Sequence, residues 1–289
     1  MSDRMLTWDG RNKQYVRLVK AKYAADILKD KKGQALCLTL PGSHGHMEKL
    51  LVGAKITTPL KIIGVERDRQ YINQLRQNSK ELVRMPVLHG KLLDVVQILE
   101  GYKFDFFDID TCGCFCEEHR KLFQQLTSNF SKKGVFCVTL EKGREKGVLN
   151  QLDFFTHVPK DAPIREVLKE FYNRVVWREI ESGKISITDV GRIISVPSFY
   201  IATAQKAGYD FTLQKLIEYN DRPPNMYQYI FTFRPSSIVN EGVDSIAWVW
   251  EEYLSMPKKR PRQFIRDTYE LHLTGERNEN KYNTENTNN

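Results

Sequence analysis

Three carboxylates and a glycine turn are the residues of this chain whose types and spacing could do chemistry. Residues 35–40 form a largely apolar run, and Pro41-Gly42-Ser43-His44-Gly45-His46 follows it directly. A second run, residues 61–65, ends on Glu66, and a third, residues 104–109, carries Asp108 with Asp110 just before Gly113. Glycines in a turn after a strand let the backbone approach a ligand closely. An acid at the tip of the next strand accepts hydrogen bonds from ribose hydroxyls. Together they are the means of holding a nucleotide-type cofactor, although Gly42-x-x-Gly45 is looser than a full Gly-x-Gly-x-x-Gly. Asp108 and Asp110 sit at alternate positions near the carboxyl end of their strand, where open α/β sheets bind ligands. They are expected to project toward opposite faces, one meeting the cofactor and the other the substrate or the following loop. The plain structural role for Asp110 is to cap the helix that starts near Glu117.

The thiols form a second group. The number of cysteines, five, is odd and argues against a disulfide framework. Cys37 and Cys137 fall inside apolar strands and read as small core residues. Cys112, Cys114 and Cys116 alternate over a short stretch, but structural zinc sites space paired ligands more widely and need a second pair. No metal is expected, and reduced thiols in a cytosolic compartment account for the set.

The elements that must position these groups alternate. Residues 11–32 predict a helix with eight cations against two acids; Tyr15, Leu18, Tyr23, Ile27 and Leu28 supply its apolar face and the charges its opposite side. Strands are expected at 35–40, 61–65, 85–90, 104–110 and 134–140, with helices at 47–54, 67–83, 94–102 and 117–132 between them. That alternation predicts an α/β fold, a doubly wound and mostly parallel Rossmann-like sheet. Residues 145–198 break the rhythm and read as a helical insertion, either shaping a substrate site or simply covering the sheet. A helix there opens at Asp161-Ala162-Pro163 with Ile164, Leu168, Phe171 and Val175 as its stripe. A helix at 199–207 precedes strands at 212–219 and 226–233, an antiparallel hairpin that closes the sheet. The expected organisation is a basic helical segment (1–33), a main domain with its insertion (34–235), a helical extension (236–274) and a disordered tail (275–289).

Bulk properties narrow the class. At 289 residues, 41% hydrophobic and 28% charged, the composition is that of an ordinary globular chain. No apolar run reaches the length of a membrane span, and residues 1–4 lead into no signal-peptide core, so a cytoplasmic protein is expected. The net charge of +8 and the run Lys258-Lys259-Arg260-Pro261-Arg262 favour a polyanionic partner over none.

The order of glycine turn, Glu66, a polar turn at His89-Gly90-Lys91, Asp108 and a closing hairpin resembles a class I S-adenosylmethionine-dependent methyltransferase. The resemblance covers about residues 35–233 without the insertion. It implies that Pro41, Gly42 and Gly45 lie against the methionine part of S-adenosylmethionine and that Glu66 binds the ribose. It further implies that Gly90, Lys91 and Leu92 sit beside adenine, with Asp108 between cofactor and substrate. The chain departs from the family in having Leu40 where an acid is common. Asp108-Ile109-Asp110-Thr111-Cys112-Gly113 is partly similar to the acid cluster of tRNA guanine N2-dimethyltransferases, with Thr111 in place of their proline. The expected function is therefore methylation of a nucleic acid, RNA or DNA, with a base amine favoured and with Asp108 and Asp110 as catalytic groups. The alternative is a nucleic-acid-binding protein that keeps the fold without turnover; a small-molecule methyltransferase ranks third.

Overall fold

The structure is a computed structural model and describes residues 10–54, 56–78, 82, 84–111, 113–142, 158–220, 225–236 and 241–255. At its centre is a seven-stranded sheet. The strands are β1 (Ala35–Thr39), β2 (Leu60–Glu66), β3 (Val87–His89), β4 (Phe104–Asp110), β5 (Phe130–Glu141), β6 (Tyr209–Tyr219) and β7 (Met226–Pro235). Across the sheet they run β3-β2-β1-β4-β5-β7-β6. The first five pair in parallel, and β7 is antiparallel to both β5 and β6. This is the expected α/β class, mostly parallel and closed by an antiparallel hairpin. The hairpin does not merely extend the edge: β7 inserts beside β5, with Cys137 opposite Ile230, and β6 becomes the outer strand.

The helices are α1 (Arg11–Leu28), α2 (His46–Gly53), α3 (Arg69–Asn78), α4 (Leu92–Ile98), α5 (Glu117–Leu126), α6 (Arg165–Phe171), α7 (Trp177–Glu181), α8 (Ile187–Val190), α9 (Val196–Lys206) and α10 (Glu241–Ser255). They bury the sheet from both sides, because side chains along each strand alternate between its faces. On one face Ala21, Ala24 and Leu28 of α1, with Met47 and Leu51 of α2, cover Cys37, Phe106 and Cys137. On the other, Phe123, Leu168, Tyr200 and Trp250 close over Phe107, Phe136 and Phe231. The helices drawn from 165–206 thus share one core with β4, β5 and the hairpin. No helix of the described residues is long and apolar enough to cross a membrane.

Four expectations are corrected. The apolar face of α1 consists of Val16, Ala21, Ala24 and Leu28, while Leu18 is 46% exposed and Tyr15, Tyr23 and Ile27 are only half-buried. Small residues win the buried face because α1 packs close to the sheet. The helix expected over 117–132 ends at Leu126, and a 3-10 turn leads into β5 at Phe130. Phe130 is drawn into the strand by ring stacking, 4.2 Å from Phe233 and 5.8 Å from Phe211. The stripe expected after residue 161 fails at Val175, which is 40% exposed, because a π turn at Tyr172–Val176 follows α6. The extra residue of a π turn rotates the phase, so Tyr172 and Val176 are buried instead. The helix expected over 67–83 begins at Arg69 rather than at 67 and is described to Asn78; residues 79–81 and 83 lie outside the described residues, and Leu82 is buried. The basic run 258–262 and the tail from 275 lie outside the described residues.

Candidate functional site

The glycine turn, Glu66, the His89-Gly90-Lys91 turn and Asp108 come to one edge of the sheet, at the carboxyl ends of β1, β2, β3 and β4. Register fixes this: Thr39 pairs with Gly64 on one side and with Asp108 on the other, and Glu66 pairs with His89. Between β1 and β4 the strand order reverses direction, which opens the crevice where such sheets bind ligands. Gly42 and Gly45 take left-handed backbone angles, φ 57° and 58°, that side chains disfavour. A Cβ at Gly42 would meet nothing within 4 Å, whereas one at Gly45 would lie 2.4 Å from the Leu82 Cδ1 and 2.8 Å from the Leu75 Cδ1. Pro41 is buried against Gly64.

The Glu66 carboxylate is half-buried, and its Oε1 accepts the Asp68 backbone N–H at 2.9 Å. Gly90 donates its N–H to the Glu66 carbonyl at 3.1 Å, which ties the third-strand turn to the second. Lys91 caps α4 and is exposed, and Leu92 opens that helix half-buried. Glycine turn, acid and polar turn therefore stand side by side along one edge of the sheet.

The two acids of β4 do not face apart. Asp108 and Asp110 both point to α1, where Lys20 Nζ donates to the Asp108 Oδ1 at 2.7 Å and Lys13 Nζ lies 2.8 Å from the Asp110 Oδ2. Side chains two residues apart on a strand share a face, so the expectation of opposite projection is overturned. Nor do the charges of α1 all lie on its solvent side. Lys13 and Lys20 are two helical turns apart, and Lys31 beyond the helix donates to the Asp105 Oδ1 at 2.7 Å. Three lysines thus run antiparallel to three acids of β4. Asp105 also accepts the Leu36 backbone N–H at 2.9 Å, joining β4 to β1.

Sequence reasoning missed Lys20 and Glu48. Lys20 is 3% exposed, in a buried row with Val16, Ala24 and Leu28 at four-residue steps; a lysine within that row is the signal that could have found it. Glu48 sits in the first turn of α2, 1% exposed, beneath the glycine turn. Burial pushes its carboxyl up to about 6, and the Asp108 charge adds to the rise; the Thr39 hydroxyl and the Lys20 ammonium act the other way. Both Glu48 oxygens and the Thr39 hydroxyl are buried without a hydrogen bond of normal geometry. Lys20, Asp108, Glu48 and Thr39 form a buried polar group under the crevice.

A cavity of about 490 Å³ lies elsewhere, between α5, α9 and residues 158–161, lined by Arg120, Gln124, Lys160, Thr203 and Lys206 among others. None of the glycine-turn residues lines it, nor do Glu66 and Asp108.

No protein-family model matches the sequence, and no curated protein matches it. Among solved structures the chain is similar to a candidate methylase from Haemophilus influenzae, at 15% identity over 75% of this chain and 87% of that one, with a TM-score of 0.41. It is similar to a candidate methyltransferase from Escherichia coli at 12% identity, 76% and 85% coverage and a TM-score of 0.43. An rRNA methylase from Streptococcus thermophilus matches at 7% identity, 76% and 95% coverage and a TM-score of 0.39. Likenesses this distant assign no activity.

Proposed function

We propose that this chain is an S-adenosylmethionine-dependent methyltransferase acting on a nucleic acid, with a base amine as the favoured acceptor, and that it works in the cytoplasm. The observation that carries the reading is the placement of cradle and acids. The glycine turn, Glu66 and Asp108 flank the point between β1 and β4 where the order of the parallel strands reverses, in a sheet closed by an antiparallel hairpin. A dinucleotide-binding sheet continues in parallel at that end, so the hairpin argues for the methyl donor instead.

When bound, S-adenosylmethionine supplies a methyl group on a positively charged sulfur. Pro41, Gly42 and Gly45 would hold its methionine part, Glu66 its ribose hydroxyls, and Gly90, Lys91 and Leu92 its adenine. Transfer is a direct displacement, so the protein's main task is to align the acceptor with the bond that breaks. Asp108 would orient the amine or take its proton, and Asp110 would support the neighbouring loop or the base. Lys20 holds the Asp108 carboxylate in place from behind. A base within a duplex would first be flipped out, at a cost of a few kcal/mol. The exposed cations Arg11, Lys22, Lys29 and Lys32 would meet phosphates.

Calorimetric titration with S-adenosylmethionine tests the cofactor assignment. Glu66→Ala should weaken binding about tenfold or more, since hydrogen bonds to a charged group are lost. Equal affinities would remove Glu66 from the ribose site. Labelled methyl transfer to RNA and to DNA, with Asp108→Ala alongside, then tests the chemistry; full activity in that variant would exclude Asp108.

One observation favours a second reading, a nucleic-acid-binding protein without turnover. Both acids of β4 already carry lysine partners from α1. Salt-sensitive RNA or DNA binding with no cofactor heat would select it.

A further inference from the structure

The loop after β4 holds a group of side chains that methyl transfer does not use. Cys116 is the N-cap residue of α5, and His119 is three residues on, in the first turn. That spacing brings the two side chains together on any helix start, as it does in a capping box. The Cys116 Sγ lies 3.2 Å from the His119 Nδ1, and the opposite ring nitrogen, Nε2, lies 2.6 Å from the Thr111 Oγ1. With Nε2–H donating to Thr111, the Nδ1 lone pair faces the thiol. Nucleophile, base and orienting hydroxyl are then in line, the arrangement that activates a thiol.

The other described cysteines are poor competitors. Cys37 and Cys137 are fully buried, and burial pushes both thiols far above their ordinary range. Cys114 and Cys116 are both half-buried, and Cys116 has the His119 imidazole beside its sulfur. Burial also lowers His119 from the usual imidazole range, against a smaller opposing effect of Glu118, so at neutral pH the ring is an uncharged base.

We infer that Cys116 is a modification site, a His119-activated thiol that exchanges with small disulfides at the carboxyl end of β4. The Cys116 proton passes to the His119 Nδ1 as sulfur attacks one sulfur of the incoming disulfide. A new S–S bond forms to Cys116, the old S–S bond breaks, and the departing thiolate takes the proton back from the imidazolium. Cys116 is oxidised to a mixed disulfide while half of the small disulfide is reduced to a thiol. The adduct ends the thiol's hydrogen bond with His119, whose other ring nitrogen meets Thr111, one residue from Asp110, which gives the loop a redox-sensitive state.

The test does not depend on methyl transfer. The folded protein is incubated at pH 7 with glutathione disulfide, and adducts at each cysteine are followed over time by peptide mass spectrometry. Cys116 should be modified first, Cys37 and Cys137 last. His119→Ala should slow the Cys116 adduct about tenfold or more, and Thr111→Val by a smaller factor, with the Cys114 rate unchanged. Loss of the fold would be visible as rapid modification of Cys37 and Cys137, and Thr111→Val then decides. Faster modification at Cys112 or Cys114, or an unchanged Cys116 rate in a folded variant, would overturn the proposal. Cofactor titration is a separate measurement, so either idea can fail alone.

Discussion

Lys20 stands where the helical repeat of α1 reserves space for an apolar residue, and its ammonium is neutralised by Asp108 rather than by water. Breaking a buried pair leaves one charge without compensation, which is why such a lysine persists within a small-residue face. Glu48 is the less comfortable neighbour. Its carboxyl titrates near 6 in the fold, above its ordinary value near 4.5, so the folded state holds the proton more tightly. Its contribution to stability is therefore whole below about pH 4.5 and is lost as pH rises through about 6, a change of about 2 kcal/mol. Glu48→Gln should remove that dependence. Urea unfolding should find the variant close to wild type at pH 4.5 and about 2 kcal/mol more stable at pH 7.5. An unchanged difference between the two pH values would count against a raised Glu48.

At the scale of elements, close approach decides several boundaries. Gly134 lies where β5 crosses the irregularity in β4, and a Cβ there would stand 2.2 Å from the Asp105 backbone oxygen. Backbone cannot move aside as a flexible side chain can, so Gly134→Ala should cost about 3 kcal/mol, read as a lower urea midpoint. Equal midpoints would mean that the two strands are not so tightly apposed. The π turns at Tyr172–Val176 and Gly191–Ser195 are a second such effect. Each rotates the chain that follows it, which lets α9 bury residues around most of its circumference between the sheet and α5. A plain 3.6-residue repeat read along the sequence has no means of anticipating the shift.

For the whole molecule, the net charge of +8 is not spread as a simple basic track. Lys13, Lys20 and Lys31 are spent on acids of β4, and Arg11, Lys22, Lys29 and Lys32 are the exposed remainder around α1. If a nucleic acid is the partner, affinity should fall linearly in log–log form with salt. Replacing Lys22 and Lys29 together by alanine should flatten that slope by about 2. Fluorescence titrations of RNA at several salt concentrations would read it; a slope that does not change would place the polyanion on another surface.

By itself the sequence determined the alternation of strands and helices, the mostly parallel sheet, the closing hairpin, and the positions of Glu66, Asp108 and the glycine turn. These follow from local periodicity and turn chemistry, which are written in neighbouring residues. Only the tertiary structure decided that β7 lies beside β5, that Asp108 and Asp110 share a face with α1, and that Glu48 and Lys20 meet beneath the crevice. Lys20 and Asp108 are 88 residues apart. Their pairing is set by how helices and strands pack: the row Val16, Lys20, Ala24 and Leu28 marks the lysine as out of place, but only the fold names the acid it meets.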